Sequence, residues 1–199
     1  MTDDTLFSSP QLILASSSPR RRELLDQIQV SYKVLPVNID ESHMPGETAE
    51  QFVIRMAVEK AAAGYEQNPH CVALGSDTIV AIGSTILGKP ENKAHAIEIL
   101  SLLSGDTHKV MTAVAIHSSE YKECVMSVSE VEFTELTRQQ IEAYWDTGEP
   151  VDKAGAYGVQ GIAAQFIKNI SGSYSGIMGL PLFETAQLLE KSGIKLLAR

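Results

Sequence analysis

The sequence at residues 12–21 reads LILASSSPRR. Its apolar first half is typical of a buried strand, and Ser18 followed by Pro19 predicts a helix N-cap with proline in the first helical position. Arg20 and Arg21 then fall in the first helical turn, where the helix dipole favours negative charge. Two cations beside free amides and hydroxyls indicate a binding site for an anion such as phosphate. The alternative is a polar loop whose arginines are simply solvated.

The bulk composition limits the class of protein and the kind of partner. The 199 residues include 16 lysines and arginines against 25 aspartates and glutamates, which gives a net charge of -9. A nucleic-acid-binding protein normally carries a basic excess, so we expect no polymeric nucleic acid as partner. A small anion is compatible with this charge, because local cations can hold it and a divalent metal can share its charge. The hydrophobic content of 44% is that of an ordinary soluble protein.

The cysteines and the apolar runs indicate a cytoplasmic protein. Cys71 and Cys124 each lie in an apolar stretch, which predicts buried thiols in a reducing compartment rather than a disulfide framework. No apolar run approaches the ~20 residues that span a bilayer. Residues 1–4 carry acidic side chains where a signal peptide carries positive charge. We therefore expect no membrane partner.

The hydrophobic periodicity predicts a succession of strands and helices. Two capping boxes, Thr48 with Gln51 and Thr137 with Gln140, predict the starts of two helices. Other elements are predicted from apolar runs and the glycines that bound them. Predicted strands fall at 12–15, 31–37, 71–74, 79–82, 85–87, 109–117, 121–133 and 166–170, and predicted helices at 19–28, 48–64, 91–103, 137–145 and 181–192. This mixture indicates an α/β (α+β) fold with a mixed twisted sheet flanked by helices.

Two charged residues lie in short glycine-containing segments near apolar runs. Asp77 belongs to the segment GSDT at 75–78, which predicts a turn at a strand end, where ligand groups gather in open sheets. Its carboxylate could ligate a divalent cation or accept a proton from water, or it could bond to its own backbone as turn aspartates commonly do. Lys89 is restrained by Pro90 to an extended backbone, and its point charge suits phosphate oxygens. The alternative for Lys89 is an exposed surface lysine.

Three further residues become informative only if the fold brings them to Asp77. Asp40 and Glu41 lie in an acidic loop after a predicted strand, and Lys60 lies late in a predicted helix. Each alone is explained by an ordinary solvated surface. Carboxylates together with lysines would match hydrolysis of a phosphoanhydride, with a divalent metal spread over the phosphates.

The segment at 149–161, EPVDKAGAYGVQG, is the most unusual in composition. Its glycines permit tight turns and a close approach of the backbone to a ligand. Gln160 offers an amide donor and acceptor together, which suits the edge of a nucleobase. A long structural loop is the alternative, although the length of the segment favours a functional loop.

Several familiar signatures are missing from the sequence. It contains no Walker A motif, no G-x-G-x-x-G after a strand and no Cys/His set with zinc spacing. The serines at 16–18 have no evident histidine partner, which disfavours covalent catalysis.

Six segments, taken in order, resemble those of a known family. They are LASSSPRR at 14–21, GSDTIV at 75–80, GKP at 88–90, HKVMT at 108–112, the segment at 149–161, and GSY at 172–174 leading to GLP at 179–181. In this order and over nearly the whole chain they resemble the Maf family of nucleoside triphosphate pyrophosphatases. The resemblance implies an inosine triphosphatase-like architecture, in which residues 1–199 form a single domain with two lobes around a central active-site cleft.

The resemblance also implies an activity and its catalytic residues. The family's members are cytoplasmic homodimers that cut a nucleoside triphosphate to the monophosphate and pyrophosphate, using a divalent metal such as Mg, Mn or Co. Asp77 matches the general base that activates water, and it would hold the metal together with Glu41. Glu41, Lys60 and Lys89 match the family's acidic and basic site positions.

Substrate binding is implied at five positions. Ser18, Arg20 and Arg21 match the family's phosphate-binding loop, and Arg20, Thr78 and Gln160 match the set found in members that act on dTTP and UTP. A glutamine amide can pair with the O4 and N3–H edge of thymine or uracil, whereas a positively charged methylated purine would favour a carboxylate and stacking. The alternatives are a 7-methyl-GTP or other modified-nucleotide pyrophosphatase and a non-catalytic, nucleotide-sensing regulator of cell division.

Overall fold

The structure, a computed structural model, describes residues 11–196. Its strands are β1 (Leu12–Leu14), β2 (Tyr32–Val34), β3 (Val72–Ile82), β4 (Thr85–Leu87), β5 (Thr107–His117), β6 (Lys122–Phe133) and β7 (Ile167–Ser171). Its helices are α1 (Pro19–Gln27), α2 (Ala49–Gln67), α3 (Lys93–Leu103), α4 (Arg138–Asp146), α5 (Tyr174–Met178) and α6 (Leu182–Lys191). The five predicted helices are present, whereas the short helix α5 has no predicted counterpart.

A single mixed sheet contains all seven strands. Its order is β2-β1-β3-β5-β6-β7, and β4 pairs with β3 beside this path. The strand β1 runs parallel to β2 and β3, whereas β3, β5, β6 and β7 follow one another in antiparallel pairs. The predicted mixed α/β architecture is therefore confirmed.

Residues 75–78 lie inside β3, so the predicted turn was wrong. Along one edge of β3, residues 73–81 pair with β5. This antiparallel partner satisfies the backbone of the polar stretch, so the strand continues through it. Along the other edge, β1 pairs with residues 72–74 and β4 with residues 80–82, and Asp77 lies in the interval between them.

A close approach between α2 and β3 determines how the helix sits on the sheet. A Cβ atom on Gly75 would lie 2.3 Å from the backbone oxygen of Ala57 and 2.4 Å from the backbone nitrogen of Ala61. Only glycine therefore allows α2 to lie this close to β3. Lys60 immediately precedes Ala61 and is brought to the sheet by this packing, where it is only 9% exposed.

The two faces of the sheet bury different apolar clusters, because alternate residues of a strand point to opposite faces. The α2 face contains Ile79 and Met111, with small side chains around them. The other face contains Val80 and Val110 in a larger cluster to which α1, α3, α4 and α6 contribute.

Three further predictions can be compared with the structure. Both cysteines are free, but Cys71 and Cys124 are only partly buried, so the prediction of buried thiols was wrong. Of the helices between residues 11 and 196, none combines the length and hydropathy of a membrane-spanning segment. The division of residues 1–199 into two lobes stays a prediction.

Candidate active site

The loop between β1 and α1 has the predicted capping geometry. Ser18 is the N-cap of α1, its Oγ accepts a hydrogen bond from the backbone N–H of Arg21 at 3.5 Å, and Pro19 occupies the first helical turn. The backbone N–H of Ser18 in turn donates to Ser16 Oγ at 3.2 Å. These bonds fold the loop tightly at the N-terminus of a helix, which is a favourable place for an anion.

The Arg21 side chain joins this loop to β3 and to the end of α5. Its Nε donates to the backbone oxygen of Gly179 at 2.9 Å, Nη1 donates to Ser16 Oγ at 3.1 Å, and Nη2 donates to Thr78 Oγ1 at 3.5 Å. Burial lowers the pKa of the guanidinium, and the nearby Asp77 opposes this effect. Arg21 is therefore a fixed cation whose orientation is set by three separate segments.

Lys60 lies between the two carboxylates that the resemblance matches to the site. Its Nζ is 2.8 Å from Asp77 Oδ1 and 2.8 Å from Glu41 Oε1. Burial opposes ionisation of Glu41, but Lys60, Lys89 and Arg21 together lower its pKa below the ordinary value. One charged group therefore contains five side chains that are far apart in sequence: Arg21, Glu41, Lys60, Asp77 and Lys89.

Arg55 of α2 holds the loop between β2 and α2, which contains Asp40 and Glu41. The guanidinium forms a bidentate pair with Glu47, at 2.6 and 2.8 Å, and its Nη2 donates to the backbone oxygen of Ser42 at 2.9 Å. Within this loop the Asp40 carboxylate accepts from the backbone N–H of Ser42, whereas Glu41 extends to Lys60. The structure thus shows which of the two adjacent acids faces the charged group.

Two adjoining cavities meet at the β1–α1 loop, one a wide cleft of about 1510 Å³ and the other a smaller cavity of about 340 Å³. The wide cleft is lined by Glu41, Lys60, Asp77 and Lys89, the small cavity by Gln160, and both by Ser18, Arg20, Arg21 and Thr78. Every predicted site residue therefore borders one of these cavities or both. Their arrangement suits a ligand with a charged end and a less polar end.

One side of the small cavity is apolar and is backed by buried aromatic rings. Val80 and Tyr157 line it. The hydroxyl of Tyr157 shares a 2.8 Å hydrogen bond with His108 Nε2, and Phe133 packs edge-on against both rings. Burial lowers the pKa of His108 to about 4, so at neutral pH the imidazole is uncharged. This wall is suited to the flat face of a heterocycle.

Three site residues were not singled out from the sequence alone. Ser16 and the carbonyl of Gly179 hold Arg21, and Lys153 borders both cavities as a further cation. All three lie in segments that carry the family resemblance, which is the signal that could have found them. Only the folded chain shows that a backbone carbonyl at residue 179 orients an arginine at residue 21.

Glu41 and Asp77 are the acidic candidates for holding a metal. Within residues 11–196, no group of three or more His, Cys, Asp and Glu side chains is arranged to bind one. Two carboxylates that meet at the same Nζ nevertheless fit a hard cation such as Mg²⁺, which commonly binds through one or two carboxylates and completes its shell with water and substrate phosphates.

Comparisons with known proteins identify relatives over nearly the whole chain. The model of the Maf-like protein family matches residues 11–192. A protein of Pseudoalteromonas atlantica named dTTP/UTP pyrophosphatase is 50% identical over 187 residues, which cover 92% of this chain and 97% of that protein. A protein of the same name from Colwellia psychrerythraea is 50% identical over 201 residues, which cover 97% of this chain and 95% of that protein. These matches show that the chain belongs to the Maf family.

Proposed function

We propose that this chain is a nucleoside triphosphate pyrophosphatase that hydrolyses dTTP and UTP to the nucleoside monophosphate and pyrophosphate. The observation that carries the proposal is the position of Lys60 between Glu41 and Asp77, in a cleft that opens onto a separate small cavity. The names of its relatives supply the reaction, since proteins about half identical to this chain are named dTTP/UTP pyrophosphatases.

The triphosphate would lie in the cleft and the base in the small cavity. Arg21 is already oriented at their junction, and Arg20 and Lys89 add positive charge to the walls. Because a triphosphate carries several negative charges, these cations and the N-terminus of α1 would hold its oxygens. The α-phosphate would then lie where the two cavities join, beside the residues that border both.

Asp77 would act as the general base. Its Oδ1 is bonded to Lys60, which orients the carboxylate and leaves Oδ2 to accept a proton from water. The oxygen of that water would attack the α-phosphorus, the bond from this phosphorus to the α–β bridging oxygen would break, and pyrophosphate would depart. Lys60 and Lys89 would stabilise charge that develops on the phosphates.

A divalent metal, held by Glu41 and Asp77, is part of the proposal. Both carboxylates supply the hard oxygen ligands that Mg²⁺, Mn²⁺ and Co²⁺ accept. When bound, the metal would neutralise phosphate charge and polarise the reacting phosphoryl group. The meeting of the two carboxylates at one lysine supports this assignment, because both already face the same small volume.

Base preference would depend on the small cavity. Gln160 at its rim would pair with the O4 and N3–H edge of a pyrimidine, while Tyr157 and Val80 would contact the face of the ring. Thr78 and Arg20 lie at the junction, close to where the sugar would pass. A 7-methyl-GTP pyrophosphatase is the second candidate, since a cavity of this kind could also be used by a modified purine.

The test is a panel of standard and methylated nucleoside triphosphates incubated with the protein and Mg²⁺, with monophosphate, pyrophosphate and orthophosphate measured separately. We expect the highest turnover with dTTP and UTP, and equal amounts of monophosphate and pyrophosphate. Orthophosphate with a nucleoside diphosphate would contradict the proposed bond. A higher turnover with 7-methyl-GTP would favour the second candidate, and tight binding without turnover would favour a nucleotide-sensing regulator.

We also propose that the protein is a cytoplasmic homodimer. The support is the family resemblance, which implies both. Light scattering after size-exclusion chromatography would test the dimer, since a mass near 21.6 kDa would be that of a single chain.

A further inference from the structure

Glu149 lies at the centre of the loop that forms the rim of the small cavity. It follows α4, and its carboxylate accepts three hydrogen bonds. The hydroxyl of Tyr144 donates to Oε1 at 2.7 Å, the backbone N–H of Ile162 donates to Oε2 at 2.7 Å, and the backbone N–H of Ala163 donates to Oε1 at 3.2 Å. One side chain therefore binds backbone groups more than ten residues further along the chain.

The loop is also held at Gly158, two residues before Gln160. The backbone N–H of Gly158 donates to the Tyr144 hydroxyl at 3.2 Å, so Tyr144 links this position to Glu149. At Gly161 a Cβ atom would lie 2.2 Å from Glu149 Oε2, so the loop passes directly over the carboxylate. Gln160 lies between the two anchored positions. Its backbone is fixed on both sides although its side chain is exposed.

The electrostatics of Glu149 agree with an anchoring role. Burial opposes its ionisation, but the hydrogen bonds from Ile162, Tyr144 and Ala163 lower the pKa of the carboxyl below its ordinary value. Hydrogen bonds to an ionised carboxylate are stronger than those between neutral groups. Its two oxygens are already engaged by the protein, so Glu149 acts on its own loop more readily than on a ligand.

We propose that Glu149 is a positioning residue that fixes residues 158–163 and thereby determines which nucleobase the small cavity accepts. This inference rests on the proposed nucleotide substrate. Glu149 lines the small cavity but not the wide cleft that contains Asp77 and Lys60. Loss of its hydrogen bonds therefore displaces Gln160 while the phosphate-binding side chains stay in place.

The proposal makes a prediction that separates substrate preference from catalysis. In Glu149→Gln, one carboxylate oxygen becomes an NH₂ group, which cannot accept from a backbone N–H. We expect the KM for dTTP to rise about 10-fold or more, kcat to change less than about 3-fold, and the preference for dTTP over GTP to fall by about 10-fold. Inorganic tripolyphosphate has no nucleobase and would occupy only the wide cleft, so we expect its inhibition to stay unchanged.

Two companion variants keep the test interpretable. Tyr144→Phe removes the hydroxyl that bonds Glu149 and Gly158 but keeps the ring against Phe166, and we expect the same changes at about 3-fold. Glu142→Gln is the matched control, on α4 beside Tyr144. The Glu142 carboxylate pairs with Arg138 and lines neither cavity, so we expect wild-type values. If Glu149→Gln does not fold, Tyr144→Phe carries the test.

The outcomes distinguish this inference from the proposed function. Wild-type preference for dTTP over GTP in a folded Glu149→Gln or Tyr144→Phe protein overturns the inference. A parallel loss of kcat and of tripolyphosphate inhibition also overturns it, because that pattern indicates general disruption. If the wild-type protein binds dTMP more tightly than GMP by calorimetry but hydrolyses no triphosphate, the proposed function fails, and loss of that binding preference in Glu149→Gln still supports the inference.

Discussion

The wide cleft and the small cavity are built by different forces. In the cleft, Lys60, Glu41 and Asp77 are held by charge pairs, and Glu41 belongs to an exposed loop. The small cavity is supported instead by buried aromatic rings and, at its rim, by backbone N–H groups that donate to Glu149. A metal and a triphosphate can rearrange charge pairs, whereas a packed wall keeps its shape. We therefore expect changes in the cleft to affect turnover, and changes around the small cavity to affect preference and stability.

The largest effect is expected in the cleft, from Asp77→Asn. The amide cannot accept a proton from water, so kcat for dTTP should fall about 1000-fold, which corresponds to about 4 kcal/mol in the activation free energy. The KM should change little, because Arg20 and Arg21 in the first turn of α1 remain. Steady-state kinetics with pyrophosphate detection measures both values.

A matched control for this variant is Asp152→Asn. Asp152 lines the same cleft and has a positive φ of 63°, a backbone conformation that asparagine tolerates well. We expect its kcat to stay within about 3-fold of wild type. The role of Asp77 as general base would be contradicted if Asp77→Asn kept more than about a tenth of the wild-type kcat.

The next effect concerns the packing on which the cleft depends. Gly75→Ala places a Cβ atom against backbone atoms of α2, at 2.3 and 2.4 Å, so the helix must move away from β3. We expect a loss of about 3 kcal/mol in the free energy of unfolding, together with reduced turnover because Lys60 withdraws from Asp77. Urea denaturation measures the first effect. Gly88→Ala, where an added Cβ contacts nothing within 4 Å, is the control and should change stability by less than about 0.5 kcal/mol.

Gln160→Glu tests the small cavity with a side chain of nearly the same shape. The carboxylate cannot donate to O4 of a pyrimidine and repels it, so kcat/KM for dTTP should fall about 50-fold, or about 2.3 kcal/mol, with little change in the thermal midpoint. Gln187→Glu on the exposed surface of α6 is the control for added charge. An unchanged ranking of substrates in Gln160→Glu would remove the proposed role of this amide.

The parts of the fold that the sequence could predict are those set by local interactions. The Thr48 and Thr137 capping boxes and the Ser18 N-cap are present as predicted, because each depends on bonds over three residues. The predicted turn at residues 75–78 failed for the opposite reason. Whether a polar stretch forms a turn or continues a strand depends here on β5, whose pairing residues lie more than 30 positions away.

The site shows the same limit. Asp40 and Glu41 are adjacent acids that local pattern cannot distinguish. In the folded chain Glu41 faces Lys60, in a loop that Arg55 of α2 holds through Glu47 and Ser42. The carbonyl of Gly179 leaves no trace in side-chain chemistry, so its bond to Arg21 could not be predicted from residue types. Motifs thus predicted residues that border the two cavities, while the orientation of their side chains required the folded chain.

The smallest expected effect concerns the pH dependence of stability behind the small cavity. Burial lowers the pKa of His108 from 6.5 to about 4 in the folded chain. The imidazole therefore takes up a proton near pH 6.5 in the unfolded chain, but only near pH 4 in the folded chain. The contribution of neutral His108 to the free energy of unfolding is complete above pH 6.5 and is lost as the pH falls towards 4. Between pH 7 and pH 5 the loss should be about 1.8 kcal/mol.

His108→Gln isolates this contribution, because the amide does not titrate and can still contact the Tyr157 hydroxyl. Between pH 7 and pH 5, the free energy of unfolding measured in urea should fall by about 1.8 kcal/mol less in this variant than in wild type, whatever the stability of the variant at pH 7. His70→Gln, at an exposed position, should keep the wild-type dependence. If His108→Gln also kept the wild-type pH dependence, the buried imidazole of the wild-type protein would have to accept its proton at the same pH as in the unfolded chain. The small cavity would then depend on a charge, as the cleft does, and the contrast between the two regions would be lost.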